Sequence, residues 1–175
     1  MKLKFVLCLL VLVSCSGRDT KEPMRSVAQD ESMIRNMVTS LNAQLAKACN
    51  GATINTDSLM DAYYEPNIYY ITPWGWSEPL DSTKARLRRA MPRIKDFENR
   101  IENLEVKVYG DGAYASFILR QSYTVDGTLL EEYLPTTLIL ERRGQGWKIV
   151  KAHRSTDYET FQQYIALQKK QEELR

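Results

Sequence analysis

The chain has 175 residues, of which 43% are hydrophobic and 26% charged, a composition that suits one soluble globular domain with a sizeable core. The formal charge is +2, and Lys2 and Lys4 account for that excess, since the remaining chain carries 22 basic and 22 acidic residues. A neutral body removes the electrostatic basis for nucleic-acid binding.

Met1–Ser14 has the pattern of a signal peptide. Lys2 and Lys4 form a positive start, and Phe5–Val13 is an unbroken apolar run too short to span a bilayer. The run ends in Leu12-Val13-Ser14-Cys15, which resembles a bacterial lipobox. That resemblance implies cleavage before Cys15 and lipidation of Cys15. It also implies a domain anchored to the lipid bilayer of the cell envelope, on the periplasmic side or at the outer membrane. An ordinary secretory signal with an incidental cysteine is the alternative. Residues 15–25, polar and with Gly17 and Pro23, form a flexible tether. Cys8 falls inside the signal segment, so Cys49 is the only cysteine left in the body. One cysteine excludes an internal disulfide, and no cysteine spacing of a metal site exists. No metal and no cofactor is expected.

The domain proper spans 26–156. A first helix starts near Ser26–Asp30, with Met33, Met37, Leu41 and Leu45 in one apolar stripe and Ile34 and Val38 beside it. Asn50-Gly51 stops it. A second, short helix is capped by Thr56 or Asp57, carries Leu59, Met60, Tyr63 and Tyr64, and ends at Glu65-Pro66. Ile68–Ile71 is a short strand, followed by a loop with two tryptophans, Thr72-Pro73-Trp74-Gly75-Trp76. Ser82 caps a third helix with Leu87, Ala90, Met91 and Ile94 on one side, and Pro92 kinks or ends it. Its arginines spread around the helix as a solvated basic face.

Strand patterns fill the second half. Leu104–Tyr109, Ala113–Val125 and Thr128–Arg142 alternate, with turn signals at Gly110-Asp111-Gly112 and a short hairpin signal at Asp126-Gly127. Pro135 implies a bulge or an edge. After the turn Arg142–Gly146, Trp147–Ser155 is the last strand. Strict alternation puts Trp147, Ile149, Lys151, His153 and Ser155 on one face and Lys148, Val150, Ala152 and Arg154 on the other. Residues 157–175 form a C-terminal helix capped by Thr156 or Asp157, with Phe161, Tyr164, Ile165 and Gln168 on one side. Helices followed by a run of antiparallel strands give an α+β fold.

Trp147, Val150, His153 and Ser155 after a basic turn, together with Tyr109-Gly110-Asp111-Gly112-Ala113-Tyr114 upstream, resemble the nuclear-transport-factor-2-like superfamily. The likeness is to SnoaL-like domains and to the association domain of calcium/calmodulin-dependent protein kinase II. It extends in element order over about Asp30–Ser155. It implies a strongly curved antiparallel sheet wrapped around helices into a cone, with a wide mouth that admits a ligand. It also implies a homodimer paired through the outer face of the sheet, where Trp147, Ile149 and His153 lie if Arg154 faces inward. That fold carries enzymes, binding modules and oligomerisation domains, so it does not name an activity.

In the kinase association domain, the arginine between the matching histidine and serine lines the cavity and helps bind carboxylates, which puts Arg154 in that role. An ungapped count puts the second cavity arginine near Leu138, and Arg120 is the substitute. Tyr63, Tyr64, Tyr69, Tyr70, Trp74 and Trp76 fall within fourteen residues at the implied mouth, and aromatic rings with polar tips suit a ligand wall. The ligand-binding candidates are therefore Arg154, Tyr63, Tyr64, Tyr69, Trp74 and Trp76. The cyclases and isomerases of the superfamily use a cavity aspartate as base, for which Asp61, Glu78 and Asp81 are candidates. Their ordinary role is capping and solvated charge. His153, the only histidine, lies roughly 6–7 Å from Ser155 along the strand, and no nucleophile elbow surrounds that serine. The expected function is non-catalytic binding of a small, partly apolar, acidic ligand. An isomerase, cyclase or dehydratase using a cavity carboxylate is one alternative, and an oligomerisation module is the other.

Overall fold

The computed structural model describes residues 25–173, so the expected signal peptide and Cys15 lie outside the described residues. Helix α1, Val27–Cys49, begins at Ser26, whose hydroxyl accepts from the Gln29 amide while the Gln29 side chain accepts from the Ser26 amide. Asn50 closes it, and Gly51 follows at a φ of 87°, a left-handed value open to glycine. Helix α2, Thr56–Tyr63, is capped by Asn55 rather than by Thr56 or Asp57, because the Asn55 side chain reaches the Ser58 amide. Strands β1, Tyr69–Ile71, and β2, Ser77–Pro79, close on each other around the tryptophan loop. Helix α3, Leu80–Ala90, starts just after Pro79, earlier than a cap at Ser82 would allow. It runs into a 3-10 turn at Met91–Arg93, where Pro92 removes a helical donor.

Four long strands follow: β3, Ile94–Tyr109; β4, Gly112–Val125; β5, Thr128–Arg143; and β6, Gly146–Arg154. Helix α4, Tyr158–Glu173, ends the described chain, with the Asp157 carboxylate on the Thr160 amide at 2.8 Å. The sheet order is β2-β1-β6-β5-β4-β3. β6 to β3 are antiparallel neighbours, and β1 joins β6 in parallel. The Asp126-Gly127 hairpin has both residues at positive φ, 50° and 76°, the two-residue turn whose twist matches that of its strands.

β3 is longer than its apolar residues foretold. It contains two bulges, between Lys95 and Glu98 and between Glu102 and Glu105. Asp96 and Asn103 take positive φ at these points, 52° and 55°, a conformation their short polar side chains tolerate. Bulges bend a strand, and here the sheet curves without closing. α1 lies against the concave side. Its Ile34, Val38 and Leu41 are buried against Val106, Ala115, Leu119 and Ile149. The stripe is thus rotated from the expected one, with Met33, Met37 and Leu45 at its margin. Full burial of each such aliphatic chain contributes roughly 1.5–3 kcal/mol. Asn50 ties the end of α1 to β3 by paired hydrogen bonds with the Phe97 backbone, at 2.8 and 2.9 Å.

Asp30 joins α1 to the last hairpin. Its carboxylate is 1% exposed and takes two hydrogen bonds from Arg142, at 2.9 and 2.6 Å, and one from Trp147 Nε1 at 3.2 Å. Those bonds to Arg142 hold the carboxyl below the ordinary aspartate range against the opposing effect of burial.

β6 departs from strict alternation. Ile149 pairs with Leu140, yet Lys151 pairs with Ile139, so one residue is inserted at Val150. Trp147 and Ile149 are therefore buried on the concave side, and so are Ala152 and, in part, Arg154. The expected outer face of Trp147, Ile149 and His153 is corrected: of the three, only His153 is exposed. Arg154 faces inward beside Thr136, itself 3% exposed on the inner face of β5.

Pro135 stands where β5 changes neighbours. β6 pairs with β5 as far as Thr136. Beyond it, the Tyr133 and Glu131 amides donate to Thr160 and Gln163 side chains of α4, at 3.3 and 3.1 Å. The missing proline donor falls at the changeover, so no ladder bond is lost. Among the described residues no helix is long and apolar enough to cross a membrane.

Candidate functional site

The inner face of β5 reads Leu130, Glu132, Leu134, Thr136, Leu138 and Leu140, all buried. Glu132 is a carboxylate on an apolar period, and it anchors one end of the site. It accepts from Tyr123 Oη at 3.0 Å, from the Gln121 side chain and from Tyr164 Oη, and the two tyrosine hydroxyls lie 2.7 Å apart. Burial pushes the Glu132 carboxyl above the ordinary glutamate range. The bonds from Gln121 and Tyr123 and the charges of Arg154 and Arg86 only partly offset this. Burial raises the Tyr123 hydroxyl well above its usual range, and the adjoining Glu132 adds to the effect.

Arg154 anchors the other end. Its guanidinium carbon stands 5.9 Å from the centroid of the Tyr70 ring, within cation–π range. Its Nε is buried and has no hydrogen-bond partner among the described residues. Tyr64 and Tyr70, 5% and 6% exposed, belong to the buried core, with the Tyr70 ring beside Arg154. Burial pushes the Tyr64 hydroxyl up to about 12, with the Arg154 charge opposing. Tyr70 is raised for the same reason.

The other candidates separate. Trp74 stands against α4, its ring edge-on to Tyr164 at 3.8 Å between centroids. Tyr63 packs between helices instead, with its hydroxyl 3.2 Å from Gln44 of α1. Tyr69 and Trp76 are 56% and 50% exposed. Arg120 lies on the outer face, over the Tyr133 ring and bonded to Glu102, so it is corrected as an inward substitute. Leu138, where the second arginine was counted, is buried in the core. Asp61 is largely solvated and paired with Lys84 at 2.5 Å, and the Asp81 side chain is almost fully exposed. Burial works on Glu78, yet its bonds to Arg86 at 2.7 Å and Thr83 at 2.8 Å hold its carboxyl below the usual range. Ser155 is exposed and Asp157 is engaged in capping, which leaves His153 without a triad. Cys49 is buried, and burial pushes its thiol up to about 11. Among the described residues, no three acidic, histidine or cysteine side chains are grouped to hold a metal ion.

Glu132, Tyr123, Gln121 and Tyr164 were not among the sequence candidates. The signal for Glu132 was present, since it interrupts a run of leucines at every second position. None existed for Tyr164, whose place depends on where α4 docks.

The SnoaL-like domain family matches residues 38–159, from mid-α1 to the start of α4. The chain belongs to the SnoaL-like family. No curated protein matches it. Its fold is similar to that of a candidate dehydratase of the nuclear-transport-factor-2-like family from Streptomyces avermitilis, with 15% identity, a TM-score of 0.62, and coverage of 76% of this chain and 99% of that one. It is similar to a calcium/calmodulin-dependent protein kinase II hub homology domain from Chlamydomonas reinhardtii, with 21% identity, a TM-score of 0.58, and coverage of 72% and 97%. It is also similar to a candidate aromatic ring hydroxylase from Novosphingobium aromaticivorans, with 12% identity, a TM-score of 0.63, and coverage of 75% and 92%. At these identities the likeness carries the fold of this SnoaL-like domain, and the three descriptions differ in function.

Proposed function

We propose that this SnoaL-like domain binds a small, partly apolar ligand with an acidic group, without catalysis, while Cys15 acyl chains hold it to a membrane of the bacterial envelope. The observation that carries the binding reading is the buried, unpartnered Nε of Arg154. An unsatisfied buried donor costs about 1–3 kcal/mol, and a carboxylate suits a guanidinium bidentately. Tyr64 and Tyr70 supply an apolar wall for the rest of the ligand. The carboxylates considered as bases favour binding over turnover, because Asp61 and Glu78 are already held by Lys84 and Arg86.

Calorimetry of the Cys15-truncated protein against aromatic and aliphatic carboxylates, with matched neutral amides, tests this. Arg154→Ala should weaken any hit by roughly 1.5–3 kcal/mol. Equal affinity in the variant would remove the anion site. The anchor is tested separately by mass spectrometry of mature protein, where an unmodified Cys15 would end that part of the reading.

One observation favours an isomerase or dehydratase as the second reading. Glu132 is a buried carboxyl with a raised pKa and two hydroxyls beside it, a group suited to proton transfer. Under that reading Glu132→Gln abolishes turnover while binding survives. For a homodimer, Ile118, Leu129, Tyr133 and Ile139 are among the apolar side chains of the outer sheet face, with Trp147 and Ile149 withdrawn to the core. Light scattering at micromolar concentration decides it.

A further inference from the structure

Tyr164 of α4 enters the Glu132 end of the site from a separate element. Its helix lies along the free edge of β5 and is held there by Thr160, Gln163 and Leu167. The family match ends at residue 159, so Tyr164 and Leu167 lie beyond it. What Tyr164 brings is a phenol. Its hydroxyl meets Glu132 and Tyr123, and its ring meets the Trp74 ring edge-on. Every polar group around that hydroxyl is thereby satisfied, and the ring is packed on its aromatic neighbour. Withdrawal of α4 would open a slot with a carboxylate acceptor, a hydroxyl and an aromatic wall.

We propose that Tyr164 is a tethered occupant standing where a small phenol binds, and that such a ligand enters by displacing α4 from the mouth. This rests on the cavity reading above but concerns its Glu132 end. A neutral phenol has no acid group for Arg154, so the two can fail separately. The slot selects a hydroxylated ring over a bare one, because a ligand without the hydroxyl leaves Glu132 and Tyr123 short of a partner. Displacement also sets the affinity. A site whose open form is a minor population binds more weakly by that fraction.

The probes are p-cresol and toluene, titrated into the Cys15-truncated protein and into its Tyr164→Ala variant. The variant should bind p-cresol at least about tenfold more tightly than the parent, since the competing phenol is gone. It should also prefer p-cresol to toluene at least about tenfold, and Tyr164→Ala with Glu132→Leu should lose that preference. Equal binding of the two probes by a natively folded Tyr164→Ala protein would overturn the proposal, as would no binding of either at millimolar concentration. If Tyr164→Ala does not fold, hydrogen exchange of the parent protein decides. Addition of p-cresol up to its solubility limit should speed exchange selectively in α4, and unchanged α4 amides would overturn the displacement.

Discussion

Trp147 and Arg154 lie seven positions apart on β6, an odd separation, yet both face the inside of the cone because one residue is inserted at Val150. Without it Arg154 would face solvent whenever Trp147 faced the core. The bulge therefore permits one strand to fill the core at its start and turn a partly buried guanidinium to the same side at its end.

The facing of β6 is checked by a pair of neighbours. Ala152 is fully buried and His153 is exposed. Ala152→Asp should cost roughly 3–5 kcal/mol in urea unfolding, as an unpaired charge in the core does. His153→Asp should stay within about 0.5 kcal/mol. Strict alternation from Trp147 predicts the reverse order.

Asp30 gives the fold an acid-sensitive joint. Its folded pKa is lowered, so the stability it contributes is present above the unfolded value, about 3.9, and is lost as pH falls through the folded value. Asp30→Asn should cost about 2–3 kcal/mol at pH 7, less than for a fully buried pair because Arg142 keeps some contact with water. The gap between parent and variant should narrow as pH drops below about 4. A gap independent of pH would mean that the charge contributes nothing.

Glu132 has the opposite sign. Its folded pKa is raised, so stability is full below the unfolded value, about 4.3, and declines as pH rises from there to the folded value. Glu132→Gln keeps an acceptor for Tyr123 and should stabilise the protein at pH 8. It should give no gain at pH 4. A variant less stable than the parent at pH 8 would contradict the strained carboxylate.

Much of the architecture was legible. The four-residue recurrence in α1, the stop at Asn50-Gly51 and the Asp126-Gly127 turn each carry their geometry in local chemistry. The first half of β3 was not, because Lys95–Glu102 is largely polar, with Phe97 and Ile101 its only apolar residues, and is held by pairing with β4. The facing of Arg154 was illegible for a related reason. A bulge leaves no period in the sequence, and β6 carries no glycine at Val150 to mark one. Glu132 was legible on an apolar alternation. Tyr164 acquires its role only when α4 docks across elements that are remote in the chain.

The most direct measurement is a crystal structure of the Cys15-truncated protein with the tightest-binding carboxylate from the calorimetric panel. The account predicts a carboxylate oxygen within about 3.2 Å of Arg154 Nε, with the apolar body against Tyr64 and Tyr70. A carboxylate bound elsewhere, with Arg154 Nε still unpartnered, would contradict it.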